Sequence, residues 1–155
     1  MKKQILRGFT MLTLIVAIAL VTAVASANGQ SRTVIANIPF DFSVGEKALP
    51  SGQYTVKAIG QSGDALAIQN QRSAKSAMRL SNSIQKSKAS ETTKLVFHRY
   101  GPRYFLAEVW VSGETTGRQL LKTKEESTIA SQLAAIFPKS EHGNYEVVEI
   151  VASLR

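Results

Sequence analysis

Between Lys94 and Val111, two runs of aromatic and β-branched residues flank Gly101-Pro102-Arg103, the pattern of a β-hairpin. Successive strand side chains point to opposite faces. The first arm therefore places Leu95, Phe97 and Arg99 on one face and Val96, His98 and Tyr100 on the other. The second arm sets Tyr104, Leu106, Glu108 and Trp110 against Phe105, Ala107, Val109 and Val111. Both faces carry apolar residues, which predicts a hairpin at the centre of a sheet.

The same period of two runs through most of the chain. Thr33–Ile38 reads as a first strand, and Pro39 marks a break before Phe40-Asp41-Phe42-Ser43-Val44, whose Phe40, Phe42 and Val44 should face the core. Pro50-Ser51-Gly52 closes a turn ahead of a strand through Tyr54, Val56 and Ala58, and a Gly-rich turn leads into Ala65–Gln69. Ser76–Ile84 is a weaker strand carrying Met78 and Leu80, and Tyr145–Ala152 forms the last one. The polar run Gln85–Thr93 reads as a mobile loop, and Ser112–Arg118 as a Gly-containing loop. One helix interrupts the strands. Thr123-Lys124-Glu125-Glu126 matches a capping box, Ile129, Leu133 and Ile136 recur at helical spacing, and Pro138 stops the run before a turn at 139–144. These segments predict a mainly β fold, an antiparallel β-sandwich or partly closed barrel with one C-terminal surface helix packed on the sheet.

The first 27 residues read differently. Lys2, Lys3 and Arg7 precede an apolar run from Met11 to Ala23 and the small residues Ala25-Ser26-Ala27, the three parts of a cleaved export signal. The run is shorter than the roughly 20 residues that span a bilayer, so no stable membrane anchor is expected after cleavage. Residues 28–155 are then a single β-rich domain in the periplasm or outside the cell. The chain has no Cys, which excludes a lipid-modified cysteine, disulfides and thiolate chemistry. Its formal charge of +8 includes the three basic residues of the leader; 16 basic against 11 acidic residues leave +5. The compartment and the lack of a dense basic cluster argue against nucleic acid as a partner. Arg72, Lys75, Arg79, Lys86 and Lys88, the most concentrated basic stretch, read as a solvated strand face and loop.

Catalytic patterns are missing. The two histidines, His98 and His142, share no metal-ligand spacing, so neither a metal nor another cofactor is expected. Gly60-Gln61-Ser62-Gly63 is not a nucleophile elbow, and Gly113–Gly117 lacks the Lys-Ser/Thr pair of a phosphate loop. Asp41 should face water. Glu108 is expected in a cross-strand ion pair with Arg99 or Arg103. His98, Tyr100, Tyr104, Glu108 and Trp110 remain as the candidate ligand-binding residues, with the three aromatics as a platform for a sugar or peptide.

Two segments carry a resemblance: Ile38-Pro39-Phe40-Asp41-Phe42-Ser43-Val44-Gly45 continuing to Leu49-Pro50-Ser51-Gly52-Gln53-Tyr54-Thr55-Val56, and Leu95-Val96-Phe97-His98-Arg99-Tyr100-Gly101 with Tyr104-Phe105-Leu106. Together they resemble an uncharacterised family of small, signal-bearing exported bacterial proteins, over most of residues 28–155. The resemblance implies no activity, cofactor or site residue. The expectation is thus an exported, non-enzymatic binding or structural module with a protein or glycan partner. The alternative is a small-ligand carrier or an enzyme, built from scattered residues around the hairpin or, for an apolar ligand, from a cavity along the Ile129 and Leu133 face.

Overall fold

The computed structural model describes residues 32–60, 62–136 and 145–155. The export signal, Pro138, the 139–144 turn and His142 lie outside these residues. The alternating segments form eleven strands: β1 (Thr33–Ile38), β2 (Phe42–Val44), β3 (Lys47–Leu49), β4 (Gly52–Ile59), β5 (Ala65–Asn70), β6 (Ser76–Gln85), β7 (Lys94–Tyr100), β8 (Arg103–Trp110), β9 (Thr116–Leu120), β10 (Glu146–Val151) and β11 (Ser153–Leu154). Helix α1 (Lys124–Ile136) lies between β9 and β10.

The strands run in the spatial order β10-β7-β8-β9-β6-β5-β4-β1-β11, with β2 and β3 outside that path. β6 is long enough to serve both layers: Ser76–Leu80 pair with β5, and Ser81–Gln85 pair with β9. At the switch, Ser81 is buried and its N–H donates to the Asp64 carbonyl at 2.8 Å. The opposite corner is made by the C-terminal strands. β10 pairs with β7, Ala152 donates to the Thr93 carbonyl, and β11 pairs with β1 through only two residue pairs. The result is a β-sandwich-like sheet, not closed into a barrel. Pairing along the path is antiparallel, and the one parallel contact among the described residues is Ser43 of β2 against Phe105 of β8.

Inward-facing residues of both layers meet in one core. Val34, Val56 and Ile68 come from one layer, and Leu95, Phe97 and Leu106 from the other. Phe42 links them, its ring centroid 5.1 Å from Tyr54 and 5.4 Å from Phe97, both edge-on. The phenol of fully buried Tyr54 donates to the Pro50 carbonyl at 2.6 Å, so the one polar atom of that ring is satisfied.

The hairpin forms as expected, with Gly101-Pro102 as its loop and Arg103 already in β8. Its register contains a surprise. Val96 opposes Glu108 but Phe97 opposes Leu106, so Ala107 is an extra residue, a β-bulge. Before it, Tyr104 and Leu106 face the sandwich core; beyond it, Val109 does. Strict alternation through β8 is therefore broken.

Gln85–Thr93 does not stand free: Lys86 N–H donates to Thr115 O at 2.8 Å, Ser90 N–H to Glu114 O at 2.9 Å, and Gly113 N–H to Ser90 O at 2.8 Å. These bonds lay the segment along the 111–115 loop. In β6 the buried positions are Ala77 and Ser81, while Met78 and Leu80 are 68% and 62% exposed. Replacing Phe97 with Ala should lower the unfolding free energy by about 3–5 kcal/mol. Met78→Ala should change it by no more than about 0.5 kcal/mol in the same urea titration. Comparable losses would contradict the assigned faces.

Candidate functional site

The bulge decides how the five candidate residues are distributed. Tyr104 projects on the core side, stacked on Phe40 with centroids 3.9 Å apart and with the Arg99 guanidinium 5.5 Å from its ring. His98, Tyr100, Glu108 and Trp110 share the opposite side of the same sheet. No common aromatic platform results. Tyr100 and Trp110 are 2% and 1% exposed, so neither ring offers a face to a sugar.

Trp110 and Glu108 form one sub-cluster. The indole N–H donates to Glu108 Oε2 at 2.7 Å, and Lys86 Nζ lies 4.0 Å from the ring centroid. Gly117 of β9 allows this approach, because a Cβ there would sit 2.7 Å from two atoms of the indole. The expected ion pair between Glu108 and Arg99 or Arg103 is absent, since both arginines have other partners. Arg99 pairs with Glu146 at 3.0 Å, and Arg103 pairs with Glu125 of α1.

His98 and Tyr100 form the other sub-cluster, around a residue that the sequence pointed to only as a helix cap. The Thr123 hydroxyl accepts from Glu126 N–H at 3.0 Å, which is half of a capping box. The Glu126 carboxylate does not turn back to complete it. Its Oε1 lies 3.1 Å from His98 Nδ1 and accepts from the Tyr100 hydroxyl at 3.3 Å. A carboxylate oxygen that accepts in this contact requires the His98 tautomer with its proton on Nδ1. His98 and Glu126 side chains are 9% and 7% exposed. Glu126 also stands in the first turn of α1, where free N–H groups favour negative charge. Tyr145 covers the pair, its centroid 4.1 Å from His98, and Lys122 Nζ lies 5.3 Å from the Tyr145 ring.

These polar ties, with the Arg103–Glu125 pair, fix the first turn of α1 to the hairpin. The apolar stripe contributes less than its spacing predicted. Glu126 is the one buried residue of α1, Ile129 and Leu133 are half-buried, and Ile136 is 66% exposed. Beside the first turn is a cleft of about 220 Å³, lined by His98, Ala107, Gln119, Leu120, Leu121, Lys122 and Glu126.

Of the basic stretch, Arg72, Lys75, Lys86 and Lys88 are exposed as expected, Lys86 with its ammonium over the Trp110 ring, but Arg79 is half-buried. Asp41 is exposed and accepts from Ser51 N–H at 2.8 Å. Among the described residues, no group of three His, Asp or Glu is placed to hold a metal ion, and no helix is long and apolar enough to cross a membrane.

Burial, reinforced by the neighbouring Glu126 carboxylate, raises the Tyr100 phenol well above its ordinary value of 10. The phenol therefore ionises first in the unfolded chain. The stability it contributes is complete below the unfolded value and is lost as the pH rises from there toward the higher folded value. Between about pH 10 and 12 the urea midpoint of the native protein should fall more steeply than that of Tyr100→Phe. Parallel slopes would contradict a protonated, buried Tyr100.

No family model, curated protein or solved structure matches this chain.

Proposed function

We propose that this chain is an exported, non-catalytic β-domain that works by binding, in keeping with the small exported bacterial proteins it resembles. The observation that carries this reading is the pairing of the hairpin's polar groups with one another. Glu126 Oε1 is shared by His98 and Tyr100, Glu108 is taken by Trp110, and Arg99 and Arg103 are held by Glu146 and Glu125. A catalytic site needs its groups to converge on one reacting atom. Here each of these groups is tied to a structural partner, and the candidate residues are divided between two faces of one sheet.

A second reading has one observation in its favour. His98, Glu126 and Lys122 all line the cleft of about 220 Å³, room for a small ligand and the seed of a carrier or an enzyme. Thermal melts of the exported protein and of His98→Gln, across sugars, peptides, lipids and divalent metals, separate the two. The binding-module reading expects one ligand class to raise Tm by several degrees in both proteins. A shift seen in the native protein but abolished in His98→Gln would transfer the function to the cleft. No shift with any class would contradict the binding reading.

A further inference from the structure

A second concavity lies away from the hairpin. Its volume is about 690 Å³, and it is walled by Val44–Lys47 at the β2–β3 turn and by Ser76–Arg79 of β6, with Ala67–Gln69 of β5 between them. Two backbone edges open beside it. Ser76–Leu80 pair with β5 on one side only, because β9 takes β6 from Ser81 onward, and β3 pairs with β2 alone among the described residues. Unpaired strand edges present rows of N–H and C=O groups to whatever extended segment comes near.

The charge in this groove is also unanswered. Arg79 Nε is buried without a hydrogen-bond partner, and Arg79 enters no ion pair among the described residues. A buried donor left unmade is costly, and guanidinium groups of this kind are normally held by an acceptor. Gly45 keeps the side chain in place. With φ of +65° it turns the chain tightly between β2 and β3, and a Cβ there would press on Arg79 Cδ at 3.2 Å. Lys47 lines the same wall and is exposed, so two cations face a single acid, Glu46.

We infer that this groove binds an extended, acidic peptide segment of a partner protein, which adds as a strand to the Ser76–Leu80 edge and presents a carboxylate to Arg79 and Lys47. This rests on the binding-module reading and names its ligand class. The five free residues of β6 match a peptide of about five residues, since both chains rise by about 3.3 Å per residue. Backbone pairing supplies affinity, and the guanidinium supplies selection for the acid. A second copy of this chain fits less well, because its net charge is also positive.

The test is a titration of the isotopically labelled exported protein with a blocked pentapeptide of alternating Val and Glu, followed by amide chemical shifts. Shifts confined to residues 44–47 and 76–80, weakened at least tenfold in Arg79→Gln and in Lys47→Gln, support the inference. So does loss of binding when alternate peptide amides are N-methylated, which removes strand pairing but keeps the charge. Each variant is first matched to the native protein in Tm, and Lys47→Gln, at an exposed site, serves if Arg79→Gln is unstable. Equal shifts with acetate or phosphate would overturn the inference in favour of a small-anion site. Dimerisation of the free protein through β6 would overturn it in favour of self-pairing. Shifts at His98 and Lys122 instead would overturn the groove assignment while leaving a binding module, and no shifts anywhere would overturn it outright.

Discussion

One extra residue, Ala107, sets the distribution of side chains on which the rest of this structure depends. A strand without it would carry Tyr104, Leu106, Glu108 and Trp110 on one face. With the bulge, Tyr104 and Leu106 stay with the sandwich core while Glu108 and Trp110 pass to the other side of the sheet. That second face then holds Val96, His98, Tyr100, Phe105, Ala107 and Trp110, all buried. A sheet with two apolar faces must be covered on both. Lys86 and Gly117 close over Trp110, and the first turn of α1 with Tyr145 closes over His98 and Tyr100.

The orientation of the cover is set by its polar contacts. Desolvating a carboxylate and an imidazole costs several kcal/mol, and their attraction offsets this only when the remaining hydrogen-bonding capacity is used. Glu126 meets that condition through Tyr100 and through its place at the helix N-terminus. Such contacts are directional. They fix where α1 begins and how it meets the hairpin, whereas the half-buried Ile129 and Leu133 set little beyond proximity. The sandwich thus closes over its hairpin face while the β6 edge and the groove beside β2 and β3 stay open among the described residues.

Period-two patterning made the strands legible: β1, β4, β5, β7, β8 and β10 lie where alternation places them, and the helix starts at its capping Thr123. The bulge was not legible, because an extra Ala between Leu106 and Glu108 looks like any other alternating position. Its consequence was the loss of the aromatic platform, since Tyr104 and Trp110 look co-facial until the register slips. Glu126 was visible as a cap residue, but its partners lie 28 and 26 positions away, and local pattern carries no information at that range. Arg79 was hidden for a related reason. Among Arg72, Lys75 and Lys88 it looks like one more solvated charge, and only the fold turns it inward beside Gly45.

The most direct test of this account is amide hydrogen exchange along α1 in the native protein and in Glu126→Ala, a substitution that lowers charge without lowering helix propensity. If the His98–Glu126–Tyr100 contact ties the helix to the hairpin, exchange across Lys124–Ile136 should accelerate in the variant by about tenfold or more relative to β4, in keeping with a loss of more than about 1.4 kcal/mol of local stability. Exchange in α1 that keeps its native ratio to β4 would contradict the account, and would mean that the apolar stripe holds the helix after all.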